Sequence, residues 1–126
     1  TTKEMIFKDN KPIYIQIAEY LADQVLSGEL VADGRVPSVR ETAASLEVNA
    51  NTVVRSYDHL QQSGIIYNKR GLGYFVMPDA AEVIMNQRRE QLLGEELQHM
   101  FERIATIGVT ADQLGKMYAN YLEKNK

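Results

Sequence analysis

The chain of 126 residues has no cysteine, which excludes disulfides, thiolate metal sites and a cysteine nucleophile. It has two histidines, His59 and His99, too few for an imidazole-rich metal or catalytic centre. His99 lies among Glu95, Glu96 and Glu102, a set that reads as an exposed acidic helix face before it reads as a metal site. No apolar run approaches the roughly eighteen residues of a membrane span, so no membrane partner is expected. No secretory leader pattern is visible, and the cytoplasm is the expected compartment. The first residue is Thr1 rather than methionine, so a short start segment is expected to precede it. There is no phosphate-binding loop and no histidine–carboxylate pattern. Neither enzymatic activity nor a cofactor is expected. Excess charge of one sign is also lacking. The net charge of −3 is not that of a strongly basic nucleic-acid binder.

What is present is an ordinary globular composition, 44% hydrophobic and 25% charged, sized for one domain or for one small domain and an appendage. The average charge hides a local one. Residues 1–78 balance at −1 and residues 79–126 at −2, but Arg35–Phe75 carries +2 through Arg35, Arg40, Arg55, Lys69 and Arg70.

Thr1–Lys11 reads as a polar arm carrying Met5, Ile6 and Phe7. Pro12 suits a helix start. Ile13, Ile17, Tyr20, Leu21 and Val25 recur at the helical period until Gly28. Ser38-Val39-Arg40-Glu41 fits a capping box opening a short helix with Ala43, Ala44 and Leu46 on its apolar side. Glu47-Val48-Asn49 interrupts it. Asn49 caps a second helix, Ala50 to about Ser63, with Val53, Tyr57 and Leu60 inward and Gly64 at its end. Ile65-Ile66-Tyr67 and Tyr74-Phe75-Val76 have strand composition and flank Lys69-Arg70-Gly71-Leu72-Gly73, which predicts a hairpin with a basic, glycine-rich tip. Beyond Pro78, Asp79 to about Thr106 reads as one long helix. Its residues Leu93, Leu97, Met100, Ile104 and Ile107 step by 4, 3, 4, 3, a coiled-coil-like seam widened by Leu92 and Phe101. Gly94 is a poor residue inside such a helix. After Gly108, Thr110 and Gln113 predict a second capping box, and Leu114, Met117, Tyr118, Tyr121 and Leu122 an apolar face.

Two short helices joined by a tight turn form the helix-turn-helix device, whose second helix enters the DNA major groove. Asn49, Asn51, Thr52 and Arg55 place short or forked hydrogen-bonding groups on its first turn and a half. Asparagine pairs with adenine and arginine with guanine. Ser38, Thr52 and Ser56 suit phosphate oxygens. Arg40 on the first helix can reach the backbone or an outer base, and Arg70-Gly71 can enter a minor groove.

Pro37-Ser38-Val39-Arg40-Glu41-Thr42-Ala43, Val48-Asn49-Ala50-Asn51-Thr52-Val53-Val54-Arg55-Ser56-Tyr57, Leu60, Gly64-Ile65-Ile66 and Gly71-Leu72-Gly73-Tyr74-Phe75-Val76 together resemble the DNA-binding domain of GntR-type bacterial repressors, across about residues 12–77. The short helical tail resembles the YtrA-like subfamily. The resemblance implies a mainly α fold with a small β-hairpin. A winged helix-turn-helix occupies residues 1–78, with the helix-turn-helix at about 39–58 and the wing at about 65–77. A two-helix dimerisation tail follows at 79–126. It places a DNA-contacting arginine on Arg40, the start of the recognition helix on Asn49–Thr52 and the wing tip on Arg70 and Gly71. Many relatives carry arginine where Ala50 and Val54 stand. Thr42 replaces the usual leucine, and Glu47 stands in the turn where glycine is common.

The expected DNA-contacting set is therefore Arg35, Ser38, Arg40, Asn49, Asn51, Thr52, Arg55, Ser56, Arg70 and Gly71. The expected dimer interface is Leu93, Leu97, Met100, Phe101, Ile104, Ile107, Leu114, Met117 and Tyr121. The expected partners are a double-stranded operator and a second copy of the chain. The tail is too small for a private ligand pocket of ~300–1,000 Å³, so an unknown small-molecule effector would sit at the dimer interface or between tail and head. The expected activity is that of a homodimeric repressor of a nearby operon, with transporter genes a target class that the resemblance suggests. The alternative is a winged-helix protein-interaction module that does not bind DNA.

Overall fold

A computed structural model describes residues 7, 8 and 10–126. Of the polar arm, Thr1–Ile6 and Asp9 lie outside the described residues. The chain divides after Asn86 into two compact units.

The first unit is built on three helices, α1 (Ile13–Ser27), α2 (Val39–Leu46) and α3 (Ala50–Gln62), and a hairpin of β1 (Ile66–Lys69) and β2 (Gly73–Val76). Pro12 is the N-cap of α1, and Gly28 ends it with φ 87°, a left-handed conformation that glycine adopts without strain. The capping box predicted at Ser38 forms. Ser38 Oγ accepts from the Glu41 N–H at 3.1 Å, and the Ser38 N–H donates to Glu41 Oε1 at 3.2 Å. Asn49 Oδ1 accepts from the Asn51 N–H at 2.8 Å and starts α3. Between these helices Glu47 takes φ 55° and ψ 48°. The left-handed turn is thus made by a residue with a Cβ, at a modest steric cost.

The core is contiguous. Ile17, Ala18 and Leu21 of α1 meet Ala43 of α2, Val53, Tyr57 and Leu60 of α3, and Ile65, Ile66 and Val76 around the hairpin. Ile13 is the exception on the α1 stripe and stays exposed. A buried polar chain crosses this core. Tyr57 donates from its hydroxyl to the Pro37 carbonyl at 2.6 Å, and the Thr42 hydroxyl lies 2.8 Å from the Tyr57 oxygen. With its own proton on Pro37, Tyr57 accepts from Thr42. This chain joins α3, α2 and the segment before α2, so the hydroxyl of Thr42 supplies by hydrogen bonding what a larger apolar side chain would supply by packing. Edge-on contact of Tyr57 with Tyr74, ring centroids 5.0 Å apart, ties the hairpin to the same point.

The strands pair antiparallel, Ile66 opposite Val76 and Lys69 opposite Gly73. Segment 33–36 adds a third edge, with the Val36 N–H on Tyr74 O and the Val76 N–H on Gly34 O at 2.8 and 2.9 Å. The hairpin is thereby anchored to the strand leading into α2.

Past Pro78, α4 (Ala80–Gln91) begins. Ala80 and Ile84 are buried in the core of the first unit. The structural division therefore falls after Asn86 rather than at Pro78, because the first turns of α4 complete the head. The single long helix expected to Thr106 is also corrected. A π-helical turn, Leu92–Glu96, separates α4 from α5 (Leu97–Thr106), and Gly94 takes a non-helical φ/ψ of −79° and −112°. The second unit continues into α6 (Ala111–Lys124), opened by the Thr110–Gln113 capping box. Neither α5 nor α6 has a buried residue. Among the described residues, no helix is long and apolar enough to cross a membrane.

Candidate nucleic-acid interface

Three features of the first unit carry the expected contact residues: the start of α2, the start of α3 and the tip of the hairpin. Arg40 is exposed on the first turn of α2. Thr42 and Ala43 of the same helix are buried, so the guanidinium projects from a fixed base. Ser38 stays half-buried as the cap. Its oxygen accepts from the Glu41 N–H. Glu41 Oε1 also lies 3.7 Å from Arg35 Nη2. The Ser38 backbone N–H, then its hydroxyl, and the Arg35 charge hold the Glu41 carboxyl below its ordinary pKa. Arg35 bridges to Phe75 through its backbone, which places it beside the hairpin.

On α3 the expected residues separate. Asn49 and Asn51 are exposed and Thr52 is half-buried at the helix start. Arg55 is exposed but turned toward α1, its guanidinium carbon 4.1 Å from the centre of the Tyr14 ring. That contact is a cation–π pair. Ser56 requires a correction. It is 0% exposed, and its hydroxyl donates to Tyr14 O at 2.8 Å and lies 3.1 Å from Thr52 O. It joins α3 to α1 and cannot present its hydroxyl to a phosphate. Three residues behind it lies Val53 and one ahead lies Tyr57, both fully buried, so helical geometry carries Ser56 inward with them.

The tip consists of Arg70, Gly71 and Leu72, closed by the Leu72 N–H on Lys69 O at 2.8 Å. Gly71 takes φ 79°, which this tight loop requires and glycine permits. Arg70 and Gly71 are exposed. Lys69 was absent from the expected set but belongs to this edge. Its ammonium lies 4.7 Å from the Phe75 ring centre, and Phe75 stacks on Tyr67 at 5.9 Å. Its place beside Arg70 in the sequence is the signal that could have found it. The Tyr67 hydroxyl donates to Asp33 Oδ1 at 3.1 Å. Burial first, and then the Asp33 carboxylate, raise the pKa of that phenol.

The head thus offers a preformed helix-turn-helix with an anchored basic hairpin, a shape that matches a major groove and the backbone beside it. Comparison with known proteins agrees. Residues 13–76 match the family described as bacterial regulatory proteins, gntR family. The HTH-type transcriptional regulator YhcF of Bacillus subtilis is 32% identical over 108 residues, which span 86% of this chain and 88% of that protein. The HTH-type transcriptional repressor YtrA of the same organism is 29% identical over 107 residues, 85% of this chain and 82% of that one. The crystal structure of a GntR-family transcriptional regulator from Bacteroides thetaiotaomicron superimposes with a TM-score of 0.83 at 43% identity, covering 91% of this chain and all of that one. From the capping box at Ser38 through the α3 start to the glycine-rich hairpin, the chain is a member of the GntR family of transcriptional regulators, with a DNA-binding winged helix-turn-helix and no enzymatic role.

Proposed function

We propose that the protein is a homodimeric repressor that binds a pseudo-palindromic operator in front of an operon near its own gene, with transporter genes the favoured target class. The observation that carries the reading is the pairing of two surfaces on one chain. The head projects Arg40, Asn51 and Arg70 from fixed points. The tail leaves Leu93, Met100, Phe101, Ile107, Met117 and Tyr121 exposed, with Leu97, Ile104 and Leu114 half-covered. So much apolar area on one small helical unit calls for a partner, and a second copy would present two heads with two-fold symmetry. Half-sites would then lie about one helical turn, or a related spacing, apart. That a relative is named a repressor favours repression over activation.

Arg35, Ser38, Asn49, Thr52 and Gly71 join Arg40, Asn51 and Arg70 in the proposed contact set. Arg55, held on Tyr14, serves as a backbone contact at the rim. The test is a salt titration of binding to DNA from the protein's own promoter, with particle mass measured in parallel. Saturable binding by a dimer, falling linearly on log–log salt axes, is the expected result. Arg40→Ala should weaken binding at least about tenfold while leaving the unfolding midpoint unchanged. A dimer that ignores this DNA at every salt concentration would sink the proposal.

A further inference from the structure

The buried side of α3 is made by Val53, Ser56, Tyr57 and Leu60. At about 100° per residue, Ala50 and Val54 lie ~40° apart on an exposed flank, with Asn51 ~60° beyond Val54. Val54 is 39% exposed and Ala50 is exposed beside it one turn earlier. Valine is a middling helix former, so local preference does not account for it at an open helical position. Arg55 is the sole arginine or lysine of α3, and it lies ~100° around from Val54 against the Tyr14 ring at 4.1 Å. On this exposed flank at the helix start two methyl-bearing side chains, Ala50 and Val54, therefore stand next to the Asn51 amide, with Arg55 ~40° beyond it. The Asn51 backbone N–H is taken by Asn49, and its side chain stands exposed.

We propose that α3 reads A·T pairs: Val54 and Ala50 pack against thymine 5-methyl groups in the major groove, and Asn51 addresses the adenine edge. Adenine offers an acceptor at N7 and a donor at N6, the complement of a carboxamide, and thymine alone carries a methyl group there. Guanine is best gripped by a forked cation on O6 and N7. Since α3 keeps its cation on Tyr14, that task passes to Arg40 on α2. This inference rests on the DNA-binding reading above and names the base preference of the same surface.

The experiment separates the two. A randomised duplex pool is enriched on the full-length chain, and the selected duplexes are resynthesised with deoxyuridine in place of each thymine in turn, which removes only the methyl group. At least one thymine per half-site should lose about three- to fivefold in affinity on this change, as expected for one methyl group withdrawn from an apolar contact. Val54→Ala should lose a similar factor on the unmodified duplex and show no further loss with uracil at that position. Val54 is surface-exposed, so the variant should unfold at the wild-type midpoint, and a matched midpoint excludes misfolding as the cause. Selected duplexes that tolerate uracil throughout, or whose uracil effect is unchanged in Val54→Ala, would overturn the base preference alone. Failure to enrich any duplex would overturn DNA binding and the base preference with it.

Discussion

Tyr57 shows how much one side chain does in this head. Its ring is fully buried among α1, α3 and the hairpin. Its hydroxyl is spent on Pro37 and Thr42. Burial is the main reason its phenol is pushed up to about 12. An unfolded tyrosine loses its proton near 10. Below that value both states keep the proton and the contribution to stability is whole. Between about 10 and 12 the unfolded chain releases a proton that the native state retains, so stability falls as pH rises. The expected loss is about 1.4 kcal/mol per pH unit in that window. Tyr57→Phe should remove this alkaline component. It should also lower stability at neutral pH by about 1–3 kcal/mol, because Pro37 O and the Thr42 hydroxyl lose their partner. Denaturant midpoints at about pH 8 and about pH 11 for both proteins check the sign and the window.

At the scale of elements, the break between α4 and α5 is the feature that periodicity did not foresee. The 4, 3, 4, 3 spacing from Leu93 to Ile107 would run unbroken through a straight helix. Gly94 instead leaves the helical region, and a Cβ there would meet nothing within 4 Å. Space therefore does not dictate the glycine. Alanine favours the helix by ~1 kcal/mol over glycine. Gly94→Ala should therefore shift the π-helical turn toward regular helix and raise the helical circular-dichroism signal. An unchanged spectrum would mean that the break is held by something other than glycine's freedom. The helix starts behaved differently. The boxes at Ser38 and Thr110 and the cap at Asn49 all form where the sequence predicts them, because each needs only residues two or three positions apart.

For the whole molecule, the proposed dimer and the proposed operator stand together. If the tail joins two heads, each head raises the effective concentration of the other at the second half-site. Phe101→Glu combined with Ile107→Glu should then yield monomers by particle mass and weaken operator binding about a hundredfold or more. The head should keep its own fold, since the buried core among the described residues runs from Ile17 to Ile84. A double variant that stays dimeric would move the interface off α5. Protein concentration must be held constant across such comparisons, because association contributes to apparent stability.

The local elements were legible in the sequence because their signals are local. Apolar period, caps and glycine-containing turns act over a few residues, and they placed α1, α2, α3, the hairpin and α6. The turn at Glu47 was marked by the family resemblance, in which glycine is common at that place, and the structure gives it a left-handed backbone. The tertiary structure decided which polar residues remain free to act. Ser56 looks like a phosphate ligand until α1 covers it. Arg55 looks like a base reader until Tyr14, far away in the chain, takes its guanidinium. Arg35 meets Phe75 only when the hairpin folds back beside the segment before α2, and Ala80 and Ile84 join the head only when α4 packs on it. A side chain's type and neighbours along the chain set its chemistry. Its availability depends on what other segments bury or engage, and close packing of distant segments settles that.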